Sequence, residues 1–197
     1  VLQTRYPTGL VGGRAPVYMY GWDAAGNING QKSKLYFSLW IKLQGPDFEA
    51  APAITKLGFI GYADAPSVGI NQGFFALQNL SNQPAVASSF ITQFLEQAPV
   101  SRTLGPNVNT SKLMTSGVWH QWEAVYEMNT VGVADGTFKM WIDGIKITDV
   151  SNVEWRVAGR TNQFFQWTWN PTWGGIGGTK SRNDFVMIDH VYMSGLP

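Results

Sequence analysis

The segment of residues 117–150 constrains the fold of this chain more than any other, because apolar and polar side chains alternate along its runs. A period of two is typical of a β-strand with one buried and one wetter face. Residues 119–128 form the first such run. Its apolar face carries Trp122, Ala124, Tyr126 and Met128. Its other face carries Gln121, Glu123, Val125 and Glu127.

Two turns divide this segment into three strands. Residues 129–136 have turn chemistry and end in Asp135-Gly136. Asp143-Gly144 then separates the runs 137–142 and 145–150. An Asp-Gly pair between two apolar runs is a strong signal for a tight β-hairpin. The segment therefore predicts three consecutive antiparallel strands.

The rest of the chain repeats this pattern without an amphipathic helix of normal length. Further strands are predicted at residues 16–20, 34–44, 53–63, 73–80, 88–97, 163–169 and 184–194. Roughly ten to thirteen short strands with frequent turns indicate a sandwich or jelly roll. We predict an all-β, two-sheet antiparallel β-sandwich that forms a single domain over residues 1–197. Residues 1–31 are expected to be a partly irregular segment that packs on the sandwich.

Several motifs resemble a known superfamily. A tryptophan-containing strand is followed by DGTFKMWIDG, then by WGGIGG, and finally by FVMIDHVYMSG. Together they resemble the concanavalin A-like lectin/glucanase superfamily over most of residues 34–195. The resemblance implies a jelly roll whose concave face often grips glycans. That superfamily includes laminin-G-like binding modules, glycoside hydrolases and polysaccharide lyases, so the resemblance does not choose among them.

Composition excludes several classes of function. Charged residues are only 14% of the chain, the net charge is +1, and no basic run occurs, so no nucleic-acid partner is predicted. The absence of cysteine excludes disulfides and thiolate sites. No apolar run approaches the roughly 20 residues of a membrane span, so no membrane insertion is expected. Because the chain starts at Val, we expect a mature or excised form.

The wetter faces of two predicted strands supply the first candidate binding site. A sugar presents apolar C–H faces and polar rims, which flat aromatic rings, amides and carboxylates recognise. The predicted sugar-contacting residues of these strands are Tyr36, Trp40, Lys42, Gln121 and Glu123. The alternative is that Trp40 packs under the second sheet and that Glu123 is an ordinary surface acid.

An aromatic cluster supplies the second candidate site. Trp167, Trp169 and Trp173 lie in or near an alternating run that ends in Pro and Gly, and a loop-borne Trp there could form a rim platform. Some of these rings must belong to the core, because both faces of the run carry rings. Arg182, in the Gly-rich loop that follows, is a further candidate substrate contact.

A structural calcium ion is the one cofactor that the chain suggests. The superfamily resemblance implies Asp189, in the last strand, as a calcium ligand, although calcium needs six to eight oxygens. The Asp and Asn residues of 22–30 could also ligate calcium or simply form turns. His190 has the opposite parity to Asp189, so the two side chains are predicted to lie on opposite faces.

The chain lacks the motifs of the enzymes that share this fold. Glu123 and Glu127 lie about 13 Å apart along an extended strand, too far for either glycosidase geometry. The glycosidase Glu-x-Asp-x-x-Glu motif and the alginate lyase Arg-Thr/Ser-Glu and Gln-Ile/Val-His signatures are absent. A divergent lyase could still draw a base and a carboxylate-neutralising group from His120, Tyr36, Tyr192, Gln121, Lys42 and Arg182.

The sequence therefore favours a non-catalytic, lectin-like glycan-binding domain at an extracellular, cell or virion surface. The first alternative is a polysaccharide-cleaving enzyme, a lyase ahead of a hydrolase. The second alternative is a structural part, such as a virion decoration or filament subunit, with possible self-association. Low charge and many Asn, Gln and aromatic residues suit each of these roles.

Overall fold

The computed structural model describes residues 1–23, 30–46, 48–49, 51, 54–62, 72–78, 88–96, 102–112, 114–174 and 177–196. The described residues form strands and no α-helix. The strands are β1 Leu2–Tyr6, β2 Met19–Asp23, β3 Lys34–Leu43, β4 Ile54–Gly61, β5 Gln72–Gln78, β6 Ser88–Glu96, β7 Arg102–Leu104, β8 Met114–Thr115, β9 His120–Glu127, β10 Gly136–Ile142, β11 Ile145–Val153, β12 Gln166–Trp169 and β13 Asp184–Leu196.

These strands form two antiparallel sheets. The six-stranded sheet has the order β1-β13-β3-β9-β10-β11. The seven-stranded sheet has the order β2-β12-β4-β5-β6-β7, and β8 pairs with β6. The predicted all-β sandwich of two antiparallel sheets is confirmed. Among the described residues no helix is long and apolar enough to span a membrane.

The segment of residues 117–150 folds as its turns predict. β9 pairs with β10, and β10 pairs with β11 through the turn at Asp143 and Gly144. Both turn residues have positive φ, 52° and 74°, as a two-residue type I′ hairpin requires. The alternation of β9 is the observed burial pattern, because Trp122, Ala124 and Tyr126 are buried.

The core lies between the two sheets and is rich in aromatic rings. Phe37 and Trp122 extend inward from the six-stranded sheet, and Phe75 and Trp167 meet them from the other sheet. The centroids of the Trp122 and Phe75 rings are 4.2 Å apart, and Phe37 lies 5.1 Å from Trp167. These contacts join the sheets into one hydrophobic core.

Short strands account for most differences from the predicted elements. The N-terminal segment contains β1 and β2, which lie at the edges of different sheets and pair with β13 and β12. β2 is the predicted edge strand, moved toward the C-terminus. β1, β7 and β8 were not predicted, because their two to five residues are too few to show a period.

Candidate functional site

The first predicted set lies together on the solvent side of the six-stranded sheet, which we call the six-stranded outer face. Trp40 is paired with Gln121 of β9 and with Asp189 of β13. Ser38 is paired with Glu123 and Tyr192 in the next row. The predicted set on this face comprises Tyr36, Trp40, Lys42, Gln121 and Glu123. Trp40 is 37% exposed, so it is not a core residue.

Tyr36 is poorly suited to act as a base. Its hydroxyl donates a hydrogen bond to Glu123 Oε1 at 2.7 Å. Burial, followed by this hydrogen bond to the carboxylate, raises the pKa of Tyr36. The centroid of the Tyr192 ring lies 6.0 Å from that of the Tyr36 ring.

The charges on this face are mixed. Lys34 Nζ is 2.6 Å from Glu127 Oε1, and Lys146 Nζ is 2.6 Å from Asp149 Oδ2. Glu123 adds a third carboxylate, which accepts the Tyr36 hydroxyl. Two of these carboxylates are therefore paired with lysines, and the third is bonded to a phenol, so each already has a partner on this face.

A pocket of about 440 Å³ opens at one end of this face. It is lined by Trp40, Trp119, Asp189 and His190. The prediction that Asp189 and His190 lie on opposite faces is wrong. A β-bulge after Asp189 gives His190 a φ of 48° and turns its side chain into the same pocket.

Asp189, the predicted calcium ligand, bonds to its neighbour in the chain. Its Oδ1 accepts the His190 backbone N–H at 2.8 Å. Among the described residues no group of three or more His, Asp or Glu side chains could hold a metal ion. Calcium needs six to eight oxygens, so the described side chains do not fit it. Residues 24–29, most of the other suggested calcium segment, lie outside the described part of the chain.

The three tryptophans of the second predicted set lie in the core. Trp167, Trp169 and Trp173 are each at most 2% exposed. The Trp169 indole donates to Thr4 Oγ1, and the Trp173 indole donates to the Glu49 carbonyl oxygen. These three tryptophans therefore do not form a rim platform for a ligand, because their rings are buried in the core. Arg182 lies in the loop before β13, where its Nε is 3.4 Å from Asp184 Oδ1.

His120 is also held by hydrogen bonds within the protein. Its Nδ1 lies 2.7 Å from Asp143 Oδ2, and its Nε2 accepts the Thr115 backbone N–H at 2.9 Å. Both ring nitrogens are therefore engaged, and the residue is 6% exposed. His120 has no free nitrogen with which to take a proton from a ligand.

The solvent side of the seven-stranded sheet, the seven-stranded outer face, carries a second polar and aromatic group. Tyr18 and Tyr20 are each 55% exposed, their hydroxyls are 3.3 Å apart, and their rings meet edge to face. Thr168 of β12 lies between Tyr20 and Phe59 by pairing. Gln166 lies on β12 one row further along.

Lys56 brings a positive charge to this face. Its Nζ lies 5.9 Å from the centre of the Phe59 ring. Its backbone N–H donates to the carbonyl oxygen of Thr172, in the segment that follows β12. β2 ends in Asp23, whose backbone pairs with Gln166. This face therefore combines phenol, amide and ammonium groups around one strand end that carries an acid.

Sequence reasoning did not select Tyr18, Tyr20, Lys56 or Gln166. Tyr18 and Tyr20 alternate around Met19, which signals that both rings share one face of an edge strand. That signal is only three residues long. The neighbours of these rings come from β12 and β4, so only strand pairing brings the group together.

The whole chain is similar to solved structures. The alginate lyase Aly36B matches over 100% of this chain and 82% of its own, with a TM-score of 0.74 and 11% identity. The endo-β-1,4-glucuronan lyase of the fungus Trichoderma reesei matches over 98% and 79%, with a TM-score of 0.65 and 16% identity. The marine PL-14 alginate lyase of Aplysia kurodai matches over 98% and 82%, with a TM-score of 0.71 and 11% identity.

The comparisons by sequence, unlike the comparison by structure, found no match. No protein-family model matches the chain, and no curated protein matches it. At 11–16% identity, the likeness of these structures concerns the fold.

These neighbours correct the predicted function. They are polysaccharide lyases, which contradicts the preference for a non-catalytic, lectin-like domain and agrees better with the lyase alternative. The sequence could not make this distinction, because aromatic and amide side chains on a strand serve a lectin and a lyase equally well. The chain has the concanavalin A-like jelly-roll fold that its motifs predicted, and it shares that fold with these lyases.

Proposed function

We propose that this protein is a polysaccharide lyase that cleaves a uronate-containing chain on its seven-stranded outer face. The observation that carries the proposal is the pair of exposed tyrosines, Tyr18 and Tyr20, with hydroxyls 3.3 Å apart. Lys56 and Gln166 lie on the same face, two strands and one strand away. The likeness to alginate and glucuronan lyases over nearly the whole chain supports the proposal. An Aly36B variant in complex with alginate tetrasaccharide is among the similar structures, with a TM-score of 0.74.

The reaction needs three functions from the protein. A base removes the proton on C5 of the uronate, and the electron pair of that C–H bond forms the C4–C5 double bond. The C4–O glycosidic bond breaks, and an acid protonates the departing oxygen. A cation or amide must first neutralise the uronate carboxylate, because negative charge develops beside it. No water is consumed.

The side chains on this face match these functions. In the proposed mechanism Tyr20 enters as the phenolate and takes the C5 proton, while Tyr18 gives its own proton to the departing oxygen. The proton then passes from Tyr20 to Tyr18 across the 3.3 Å between their hydroxyl oxygens, which restores both groups. Lys56 and Gln166 bind the carboxylate. By the usual strand spacing β2 and β4 lie about 10 Å apart, a gap that Tyr and Lys side chains can close around one sugar.

Lys56 supplies the positive charge that the uronate carboxylate needs on this face. Gln166 pairs with Asp23 at the end of β2, so Lys56 is the principal carboxylate-binding group of the proposal. A polyuronate places about one negative charge on each sugar, and a lysine near the two tyrosines can pair with that charge.

The test is to incubate the protein with alginate and, separately, with glucuronan, and to follow the ultraviolet absorbance of unsaturated uronate. Wild-type protein should produce this absorbance and unsaturated oligosaccharides detectable by mass spectrometry. Tyr20→Phe and Lys56→Ala should each lower kcat/KM by about 100-fold or more, since each removes a group used in the transition state.

Tyr192→Phe is the matched control, because it removes one exposed tyrosine hydroxyl from the opposite face. Its kcat/KM should stay at the wild-type value. If wild-type protein yields no unsaturated product from either polymer, or saturated products only, the lyase assignment is wrong. If Tyr192→Phe loses activity while Tyr20→Phe keeps it, the site lies on the six-stranded outer face instead.

A further inference from the structure

We propose that the pocket lined by Trp40, Trp119, Asp189 and His190 binds a neutral sugar unit, separately from the lyase site on the opposite face. The pocket lies on the six-stranded outer face at the bulge of β13. Its occupant is a hexose of an uncharged polysaccharide. This site would add a second, non-catalytic contact to the proposed lyase.

Two tryptophans give the pocket its apolar walls. Trp40 is 37% exposed, although a side chain of its size is usually well buried. Trp119 is half-buried beside it, just before β9. A pocket of about 440 Å³ lies within the ordinary range of sites for small ligands. Indole rings in the lining of a pocket suit the C–H faces of a pyranose.

The polar groups of the pocket accept hydrogen bonds from hydroxyls. The contacts of Asp189 within the described structure, to the His190 backbone N–H and to nearby cations, use Oδ1. In the proposed complex Oδ2 accepts a hydrogen bond from a ligand hydroxyl. Gln121, paired with Trp40 across the sheet, adds an amide at the margin. A carboxylate beside an aromatic ring holds a sugar diol in a fixed orientation.

The charge of the pocket selects against the lyase substrate. Asp189 is the acid in the lining, and Glu123 lies one row further along β9. Lys42 is one step beyond Trp40 on β3 and is not part of the lining. Among the described lining residues a uronate carboxylate would face Asp189, and the N-terminal ammonium nearby already lies 3.5 Å from Asp189 Oδ1. The pocket therefore fits a sugar without a carboxylate.

The bulge makes this pocket a built feature of β13. Residues 190 and 191 carry the extra residue that separates the Asp189–Trp40 pair from the Tyr192–Ser38 pair. His190 accepts a φ of 48°, which a non-glycine residue rarely adopts. A regular strand would direct His190 toward the core, whereas the bulge places it beside Asp189 at the rim.

The test is native gel electrophoresis in the presence of laminarin, galactomannan or alginate at equal mass. We expect at least one neutral polysaccharide to retard the wild-type protein. Trp40→Ala should weaken that retardation by about tenfold or more in apparent Kd. Its activity on the acidic substrate should stay within twofold of wild type. Trp141→Ala is the matched control, because it truncates a tryptophan of the same face that lies outside the pocket.

Each outcome decides the proposal. Loss of retardation in Trp40→Ala with retention in Trp141→Ala supports the pocket, provided that circular dichroism shows both variants folded. Equal loss in both variants, or no retardation of wild type by either neutral polymer, overturns it. Retardation by alginate alone that Trp40→Ala abolishes also overturns it, since the pocket would then take an acidic sugar. The lyase assay is scored separately, so failure here does not touch the proposed reaction.

Discussion

Lys180 is a charged residue that the fold buries completely. Its Nζ is 2.6 Å from Asp184 Oδ2 and donates to the Glu49 carbonyl oxygen at 2.9 Å. The rings of Phe48 and Trp173 lie 5.3 and 5.5 Å from the ammonium. Burying this charge is tolerable because a carboxylate, a carbonyl and aromatic faces replace water around it. The cluster ties the chain before β4 to the chain that leads into β13.

Lys180→Met should destabilise the protein by about 3–5 kcal/mol, because it leaves the buried Asp184 carboxylate without its partner. Urea unfolding followed by circular dichroism measures this loss. The double variant Lys180→Met with Asp184→Asn should recover part of it, since the most deeply buried carboxylate is then neutral. A single variant as stable as wild type would show that the ion pair contributes nothing net.

The turn between β10 and β11 shows how one residue organises an element. Asp143 Oδ2 lies 2.7 Å from both Lys112 Nζ and His120 Nδ1, and its Oδ1 accepts the Gln121 N–H. Burial alone would raise the pKa of Asp143, but the bonds from Lys112, His120 and Gln121 lower it below its ordinary value of 3.8. The turn is thereby fastened to the start of β9 and to the loop before β8.

Asp143 should make stability depend on acid. Because its pKa is lowered in the folded state, its contribution is fully present above pH 3.8 and is lost as the pH falls through the lower folded value. Asp143→Asn keeps a residue that tolerates positive φ but removes the charge. Between about pH 6 and pH 2.5, the Tm of wild type should therefore fall further than that of the variant. Parallel Tm curves for the two proteins would contradict this role of the carboxylate.

The two sheets depend on each other through the aromatic core. Trp122 contacts Phe37 of its own sheet and Phe75 of the other, with ring centroids 5.0 and 4.2 Å apart. Neither sheet can bury this face alone. Stability is therefore a property of the whole sandwich.

Trp122→Ala should cost about 3–5 kcal/mol, a large part of the roughly 5–15 kcal/mol that stabilises an ordinary domain. Both sheets should unfold in a single transition at lower denaturant concentration, seen alike by far-ultraviolet circular dichroism and tryptophan fluorescence. Trp122→Phe, which keeps a ring at the contact, should lose less. Separate transitions for the two probes would show that the sheets are stable independently.

Local side-chain patterns predicted much of this fold. The alternation of β3 and β9 identified which side chains face the core, and Asp143-Gly144 located the hairpin, because strand period and turn conformation depend on residues close in sequence. The same patterns could not show that Trp167, Trp169 and Trp173 are all buried. Their burial depends on what the opposite sheet and the loops place over them.

The candidate sites depended on tertiary structure. Tyr20, Gln166 and Lys56 come from three strands far apart in sequence, and the order β2-β12-β4 makes them neighbours. One extra residue in β13 reversed the predicted relation of His190 to Asp189, because a bulge shifts every later side chain to the other face. The sequence alone thus determined the longer strands, their buried faces and the β class. Strand order and bulges decided which polar side chains meet, since those contacts form between segments that no local pattern connects.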